Sequence, residues 1–487
     1  MDDFNSNSIS ASIETQTQIK SIPVAPVWET RANPYPYYQW LQDVHPVYWD
    51  AKIGKWLVTR YADVSRLLRD TRLSSQRPGT VPVSTGTLMP EIATSLGSTY
   101  EFLSHMMVLN DGEAHTRLRQ TVSPAFTPVA VSRLKQQIVE LTDQLLEQAW
   151  YKSKSTGGFD VKESLASPLP LAVIAGLMGV AIKDRGRFKF KEWSDNLIGL
   201  LELDDRATRQ DKALALGRNI EQLRVYQRGR LQALRLQNPS TQSLLLADSL
   251  PLPTAACPHL NPNPGSGSSS SSVLKPKGST VALSEDEVTA NSLLLLAAGY
   301  ETTTNLISSG LATLLQHPEQ LARLRAQKGK ELLYGPAVEE LLRYESPVQW
   351  VGRVAKEEVA VKVQMVAGPG AGPSAAGEHK PQIIKPGDKV LLMLGAANRD
   401  PRYFANPNQL DINRFAANAT GGGLRHLAFG YGPHFCLGAF LSRLEAEVAL
   451  ERLFKWFPRL RLDPAGLPLQ WQSGQAVRAL KALPVLV

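Results

Sequence analysis

Cys436 is the residue of this chain best placed to do chemistry. It lies in the stretch Phe429-Gly-Tyr-Gly432-Pro-His434-Phe-Cys436-Leu-Gly438. Two glycines and a proline crowd residues 428–435, so that run reads as a loop rather than a helix or a central strand. From Leu437 the pattern turns helical, with Leu437, Phe440, Leu441, Leu444 and Val448 at helical spacing until Pro458 stops the run. A cysteine at a helix mouth meets unpaired N–H groups and partial positive charge, which favour a thiolate. A thiolate held that way is a nucleophile or a metal ligand, and the loop alone leaves both open.

A second stretch mixes an acid with hydroxyls. Ser284-Glu-Asp-Glu287 has the spacing of a capping box and opens a helical pattern that runs to about Gln316, before His317-Pro318. Leu293-Leu-Leu-Leu-Ala-Ala298 is apolar on all sides, which implies burial. Next come Gly299-Tyr-Glu301-Thr302-Thr303-Thr304, poor choices for a buried helix interior. One reading is a polar patch at a helix surface. The other is a break in the backbone ladder, where a hydroxyl and a carboxyl line a cavity and pass protons inward.

Other charged residues say little singly. Glu340-Leu-Leu-Arg343 is an i,i+3 pair of the kind usually solvated, and His115 and Arg119 form an i,i+4 pair. Arg353, Arg414 and His426 are isolated basic residues. His434 could serve a Cys–His enzyme, but nothing else in the chain supports that chemistry.

The elements that must position these groups are mostly helices. Val47–Thr59 alternates around Lys52-Ile-Gly54 as a hairpin, and Tyr61–Arg69 follows as a short amphipathic helix with Ala62, Val64, Leu67 and Leu68 on its apolar face. Residues 72–100 read as a long loop. Helical patterns cover Glu113–Ala125, Pro128–Trp150, Leu171–Gly179, Asp184–Leu203 and Arg206–Gln237. Glu358–Val366 and Gln382–Leu394 read as strands. Residues 1–25 form a disordered tail, and residues 26–487 one mainly α domain with a small β region. Two low-complexity insertions, at about 251–280 and 367–381, interrupt it, the second as the tip of a hairpin or a loop between strands.

Composition narrows the class. The 487 residues are 43% hydrophobic, enough for a large core. Lys+Arg 53 against Asp+Glu 45 leaves a net charge of +8. No Lys/Arg block or stacked-aromatic motif points to nucleic acid, so an acidic protein partner is the better reading of that excess. Two cysteines, Cys257 and Cys436, exclude a disulfide framework and indicate a reduced, cytoplasmic protein. Met1–Lys20 lacks the pattern of a secretory signal, and no apolar span of about 20 residues suggests a transmembrane anchor.

Taken together and in order, these motifs resemble the cytochrome P-450 family, the haem-thiolate monooxygenases, and their soluble bacterial branch in particular. Phe429-x-x-Gly432-x-x-x-Cys436-x-Gly438 is similar to the family's haem-binding loop, Glu340-x-x-Arg343 to its Glu-x-x-Arg helix, and Ala298-Gly299-Tyr-Glu301-Thr302-Thr303 to its oxygen-activation segment. His115-x-x-x-Arg119 and Asn398-Arg-Asp-Pro401 also fit. The resemblance spans roughly residues 30–487 outside the insertions.

It implies a single P-450-type fold with haem b buried between the long helix and the cysteine loop. Cys436 would be the axial thiolate, with Phe429 shielding the sulfur, Gly432 giving a tight turn and Gly438 allowing close approach to the porphyrin. Ala298 would face the haem. His115, Arg119, Arg353 and His434 would hold the propionates, with His426 a further candidate. Thr302 would hydrogen-bond on the oxygen side and Glu301 relay protons. Glu340, Arg343 and Arg414 would form a buried structural network.

The implied activity is insertion of one atom of dioxygen into a lipophilic small molecule, by hydroxylation or epoxidation. Electrons would come from a ferredoxin-type donor with its reductase, docked near Arg425, Arg443 and Lys455. Residues 75–100, parts of 185–210, Leu294–Ala298, Val348–Val351 with Gln349 and Trp350, and Ser473–Ala476 would line the pocket. Two rivals stand beside this: a peroxide-driven oxygenase, and a non-catalytic haem-binding or sensor protein.

Overall fold

The computed structural model describes residues 32–76, 90–180, 192–194, 196–197, 206–237, 283–326, 334–362, 381–416, 423–472 and 476–487. The expected tail at 1–25, the insertion at 251–280 and all but the last residue of the insertion at 367–381 lie outside these residues. So does most of the helix expected at Asp184–Leu203.

Helices dominate, with the sheets a minority, as the motif order implied. The organising element is the helix Glu285–Gln316. Its capping box is complete: Ser284 Oγ accepts from Glu287 N at 3.1 Å, and the Glu287 carboxylate accepts from Ser284 N at 2.9 Å. Three acids in the first turn complement the positive end of the helix dipole. Leu293–Ala297 are buried on every side, because the helix is covered by the helices Pro168–Leu177, Tyr334–Tyr344 and Ala439–Trp456. A β-carbon at Gly299 would stand 2.9 Å from Ile174 Cγ1, so this close crossing needs glycine.

The helix runs through Gly299–Thr304 without interruption, which corrects the expected break in its ladder. Nor is the segment a surface patch, since Thr303 and Thr304 are buried. Thr302 Oγ1 donates to the Ala298 carbonyl one turn back at 2.7 Å, a local bond that lets a hydroxyl remain in a helix.

The main sheet takes five strands: β1 Val47–Asp50, β2 Lys55–Val58, β3 Leu73–Ser74, β4 Val351–Ala355 and β5 Lys389–Leu392, in the order β1-β2-β5-β4-β3. β1 and β2 form the expected antiparallel hairpin, with Asp50 opposite Lys55 and Gly54 in a left-handed turn at φ +62°. β2 pairs with β5 in parallel, and β4 lies antiparallel to β5 with Arg353 opposite Val390. Val359–Val361 pairs antiparallel with Gln382–Ile384, so the second insertion connects paired strands.

Three local expectations change. Residues 72–100 are not all loop, because a helix occupies Pro90–Ser104 and opens on a proline suited to a first turn. The helix after the cysteine starts at Ala439, and Phe440 points to solvent at 46% exposure. The buried face of that helix is instead Leu441, Glu445, Val448 and their neighbours. Ala62 is exposed, leaving Val64, Leu67 and Leu68 as the packed face of the helix Tyr61–Leu67. Among the described residues no helix is long and apolar enough to cross a membrane.

Candidate functional site

Cys436 opens on a cavity of about 310 Å³ between the long helix and the loop before Ala439. Backbone bonds close that loop around the sulfur: Cys436 N donates to Phe429 O at 2.9 Å, Phe435 N to Gly432 O at 3.0 Å and Gly430 N to Leu427 O at 2.8 Å. Gly432 has φ +80°, and a β-carbon there would sit 2.8 Å from Arg69 Cγ, so the turn takes no side chain. Gly438 differs in kind. Its backbone is ordinary, it lines the cavity, and a β-carbon would meet nothing within 4 Å.

Burial pushes the Cys436 thiol up, while the Gly438 N–H, Arg119 and Arg443 pull it down without overcoming burial. The helix mouth by itself therefore does not secure a thiolate, contrary to what its position suggested. A bound cation would, because a coordinated thiol loses its proton outright.

Ala298 is exposed in the middle of a buried helix because it faces the cavity, in company with Leu294, Leu295, Gly299, Thr302 and Thr303. Thr302 gives its hydrogen to the Ala298 carbonyl, so toward the cavity its oxygen is an acceptor. Glu301 is not on the cavity wall. Its carboxylate accepts from Ser194 Oγ at 3.3 Å, on a neighbouring segment.

Four basic side chains line the same cavity: His115, Arg119, Arg353 and His434. The first two project from one face of the helix Gly112–Val122, and Arg353 comes from β4 with Val351 on the same strand face. Arg119 Nη2 donates to Phe435 O at 2.7 Å, which ties that helix to the cysteine loop. The His115 and His434 rings lie 4.1 Å apart. Burial, Arg353 and His115 together hold His434 down to about 4, and burial and Arg119 lower His115 as well. Both rings are then neutral near pH 7 and donate a single N–H each, while the two guanidinium groups keep their charge.

His426 is not brought to the cavity. Its Nε2 lies 3.2 Å from Glu339 Oε2, so the expected propionate contact gives way to a carboxylate pairing. Glu339 also accepts from Arg443 Nε and Nη2 at 2.5 and 3.0 Å, and the Arg443 guanidinium lies 4.4 Å over the Phe429 ring. Arg443 is thus committed inside the fold, whereas Arg425 and Lys455 stay exposed. Phe429 lines the cavity beside the cysteine.

Glu340, Arg343 and Arg414 meet behind the site. Glu340 accepts from Arg343 Nε and Nη2 at 2.7 Å each and from Arg414 Nε at 3.1 Å, with the Glu340 and Arg343 side chains fully buried. Arg343 Nη1 also donates to the carbonyls of Asn398 and Pro407 at 2.9 and 2.8 Å.

Most of the remaining wall is apolar, with Met107, Val108, Ile174, Val348, Val351 and Leu394 among its members. Gln349 and Trp350, expected there, turn away; Gln349 accepts from Tyr38 Oη at 2.9 Å. Residues 75–89, apart from Ser75 and Gln76, and residues 473–475 lie outside the described part. Three participants escaped the sequence reading: Asp111, 3.4 Å from His434 Nε2, Glu339, which holds His426 and Arg443, and Glu445, which lines the cavity. Ser75, within the expected lining, places its Oγ 3.1 Å from the same His434 nitrogen. Glu339 stands beside a motif acid and Asp111 four residues before His115, which was the only available signal.

In chemical terms the site is a cysteine sulfur, apolar walls and a cluster of cationic and N–H donors. It suits a flat group with apolar faces, an electrophilic centre and anionic substituents.

Comparison with known proteins agrees. A family model described as cytochrome P450 matches residues 269–366 and 377–475. The chain is 35% identical over 460 residues to a biotin biosynthesis cytochrome P450 of Bacillus subtilis (strain 168), covering 93% of this chain and 96% of that protein. It is 31% identical over 468 residues to a polyketide biosynthesis cytochrome P450, PksS, of the same organism, covering 94% and 96%. The solved structure of P450BioI in complex with a hexadec-9Z-enoic acid-ligated acyl carrier protein superposes with a TM-score of 0.71 at 32% identity, over 94% of this chain and 99% of that one.

Proposed function

The chain belongs to the cytochrome P450 family of monooxygenases, and from that premise we propose that it hydroxylates or epoxidises a lipophilic small molecule in the cytoplasm. Electrons would come from a separate ferredoxin-type donor with its reductase. The observation that carries the reading is one cavity bounded by Cys436 on the loop and Thr302 on the long helix.

Members of the family bind haem b through a cysteine thiolate. The residues present fit that group: Gly438 leaves open space beside the cysteine, much of the wall is apolar, and Arg119, Arg353, His115 and His434 line the same cavity. Haem held there would supply oxidation by dioxygen at an iron centre, with the Cys436 sulfur as donor ligand. Arg119 and Arg353 would pair with its carboxylates, with His115 and His434 beside them in the same cavity. Phe429 and Leu437 would keep water from the sulfur. The Gly438 N–H would temper its donor strength.

On the long helix, Thr302 Oγ1 would accept a hydrogen from water in the cavity and orient it. Glu301, held by Ser194 off the wall, would reach the cavity only through water. Leu294, Leu295, Val348, Val351 and Leu394 would exclude water from the guest and select for apolar surface. Fatty acyl and polyketide-like chains agree with what the relatives' names and the carrier-protein complex say of those proteins. With only two cysteines in the chain, a reducing compartment is the fitting one.

Turnover separates this reading from a peroxide-driven oxygenase. With a ferredoxin, its reductase and NAD(P)H, product should form from a substrate that shifts the haem spectrum. Product with peroxide alone and none with the redox pair would contradict the proposal. No product under either condition, across acyl, polyketide and terpenoid compounds, would favour a non-catalytic haem protein.

A further inference from the structure

The helix Tyr35–Val44 has no part in the chemistry described so far, and among the described residues none of its side chains lines the cavity. Its buried face packs Tyr37, Tyr38 and Leu41 in one cluster with Trp350, Leu391 and Met393. Trp350 and Met393 are the chain neighbours of Val351 and Leu394, which do line the cavity, so this cluster backs the wall. Two polar side chains reach inward from the same helix. Tyr38 Oη donates to Gln349 Oε1 at 2.9 Å, with both residues buried. Gln42 Nε2 donates to the carbonyl of Ala396 at 2.7 Å and to that of Thr59 at 3.1 Å. Burial and then the neighbouring Tyr35 push the Tyr38 phenol up, so its hydroxyl keeps the hydrogen it donates.

Gln349 is bonded at each of its four polar groups. Besides the bond from Tyr38, its Nε2 donates to Ser346 O at 2.6 Å and its backbone N–H to Ala476 O at 2.7 Å, while its carbonyl accepts from Gly395 N at 3.0 Å. The packing leaves little slack, since a β-carbon on Gly395 would stand 2.5 Å from Gln349 Oε1. Three stretches of chain therefore meet at this one residue: 346–351, the turn at Leu394-Gly395, and the stretch at Ala476, where Val477 bridges to Val348. The first two present Pro347, Val348, Val351 and Leu394 to the cavity. Breaking any of these bonds would orphan a polar group in the interior, which holds the amide to one geometry.

We propose that Gln349, held by Tyr38, is a positioning residue for substrate specificity: it sets the separation of Val348 and Val351 from Leu394, and so the bulk of lipophilic guest that the cavity admits. Without the Tyr38 hydroxyl, Gln349 Oε1 must turn to another donor, and the two wall segments tied to it relax apart. Guests that press on both segments then gain room, while compact guests bind as before. The helix Tyr35–Val44 thereby acts on the cavity only through Gln349. The proposal rests on the haem monooxygenase reading above, because the guest it concerns binds beside the haem.

The test uses the haem-loaded protein, the variants Tyr38→Phe and Gln349→Met, and two probes that coordinate haem iron: imidazole and the bulkier 4-phenylimidazole. Tyr38→Phe keeps the ring and its packing, so it decides the matter even if Gln349→Met does not fold. Spectral titration of Tyr38→Phe should show the affinity for 4-phenylimidazole relative to imidazole rising roughly three- to tenfold. Imidazole binding alone and the carbon monoxide spectrum should match the wild type. Gln349→Met should move the ratio the same way, and the double variant no further, because both changes break one bond. Asp143→Asn breaks bonds to Arg452 and Trp456 away from the cavity wall, and should lower Tm with the wild-type ratio. An unchanged ratio in Tyr38→Phe, or an equal shift in Asp143→Asn, would overturn this proposal alone. A wild-type carbon monoxide spectrum without thiolate character would overturn the underlying reading and this proposal with it.

Discussion

Thr302 Oγ1 donates its hydrogen to the carbonyl of Ala298 at 2.7 Å, and both residues face the same cavity. The bond fixes the hydroxyl as an acceptor toward the guest and leaves the helix continuous around it. Thr302→Ala removes the acceptor while keeping the fold. Peroxide released per product formed should rise about tenfold, a modest share of what a positioned proton-transfer group supplies. Thr302→Ser should stay near the wild type. Equal coupling in Thr302→Ala and the wild type would show that this hydroxyl handles no proton.

Glu340 and Arg343 make two bonds of 2.7 Å with both side chains fully buried. Removing one charge leaves the other uncompensated, which costs about 3–5 kcal/mol in such sites. Glu340→Gln should lower the denaturant midpoint accordingly. Glu163→Gln, which breaks the exposed Lys152–Glu163 pair, should change the stability by less than about 1 kcal/mol.

Glu339 gives a pH signature. Burial raises its carboxyl, but hydrogen bonds from His426 and Arg443 outweigh this and hold it at about 2, below the ordinary 4.5. A carboxylate depressed by folding stabilises the protein above its unfolded value, and that stabilisation is lost as pH falls from about 4.5 to about 2. It is worth on the order of 3 kcal/mol, shared with its partners. Chemical denaturation across that window should show a shallower loss in Glu339→Gln than in the wild type. Parallel curves would mean the pairing contributes nothing.

Arg353 and Arg119 bring charge to the anionic side of the proposed haem site. Losing one charge-assisted hydrogen bond costs about 1.5–3 kcal/mol. Arg353→Leu should therefore speed haem transfer to an acceptor apoprotein by roughly ten- to a hundredfold. His426→Leu should leave that rate unchanged, since His426 faces Glu339 instead.

Much of this site was legible because its determinants are local. The capping box at Ser284 marks the start of the long helix, and the glycines and proline before Cys436 can only make a loop. Glu340 and Arg343 share a helix face by spacing alone, although their burial does not follow from it. What escaped depends on partners far away in the chain. The burial of Glu445 comes from the packing of its helix against the long helix. His426 looks available until Glu339 is folded against it. Gln349 and Trp350 flank Val348 and Val351, yet face Tyr38 and the core rather than the cavity. The helix Pro90–Ser104 is rich in Ser, Thr and Gly, and packs against the helix Arg206–Gln237 and the long helix, support that its own periodicity does not announce.

The most direct test concerns Cys436 itself. Reduced, haem-loaded protein under carbon monoxide should show the red-shifted Soret band of thiolate ligation, and Cys436→His should lose it. A band typical of histidine ligation in the wild type, or a thiolate-type band that survives Cys436→His, would contradict the assignment of this sulfur to the iron.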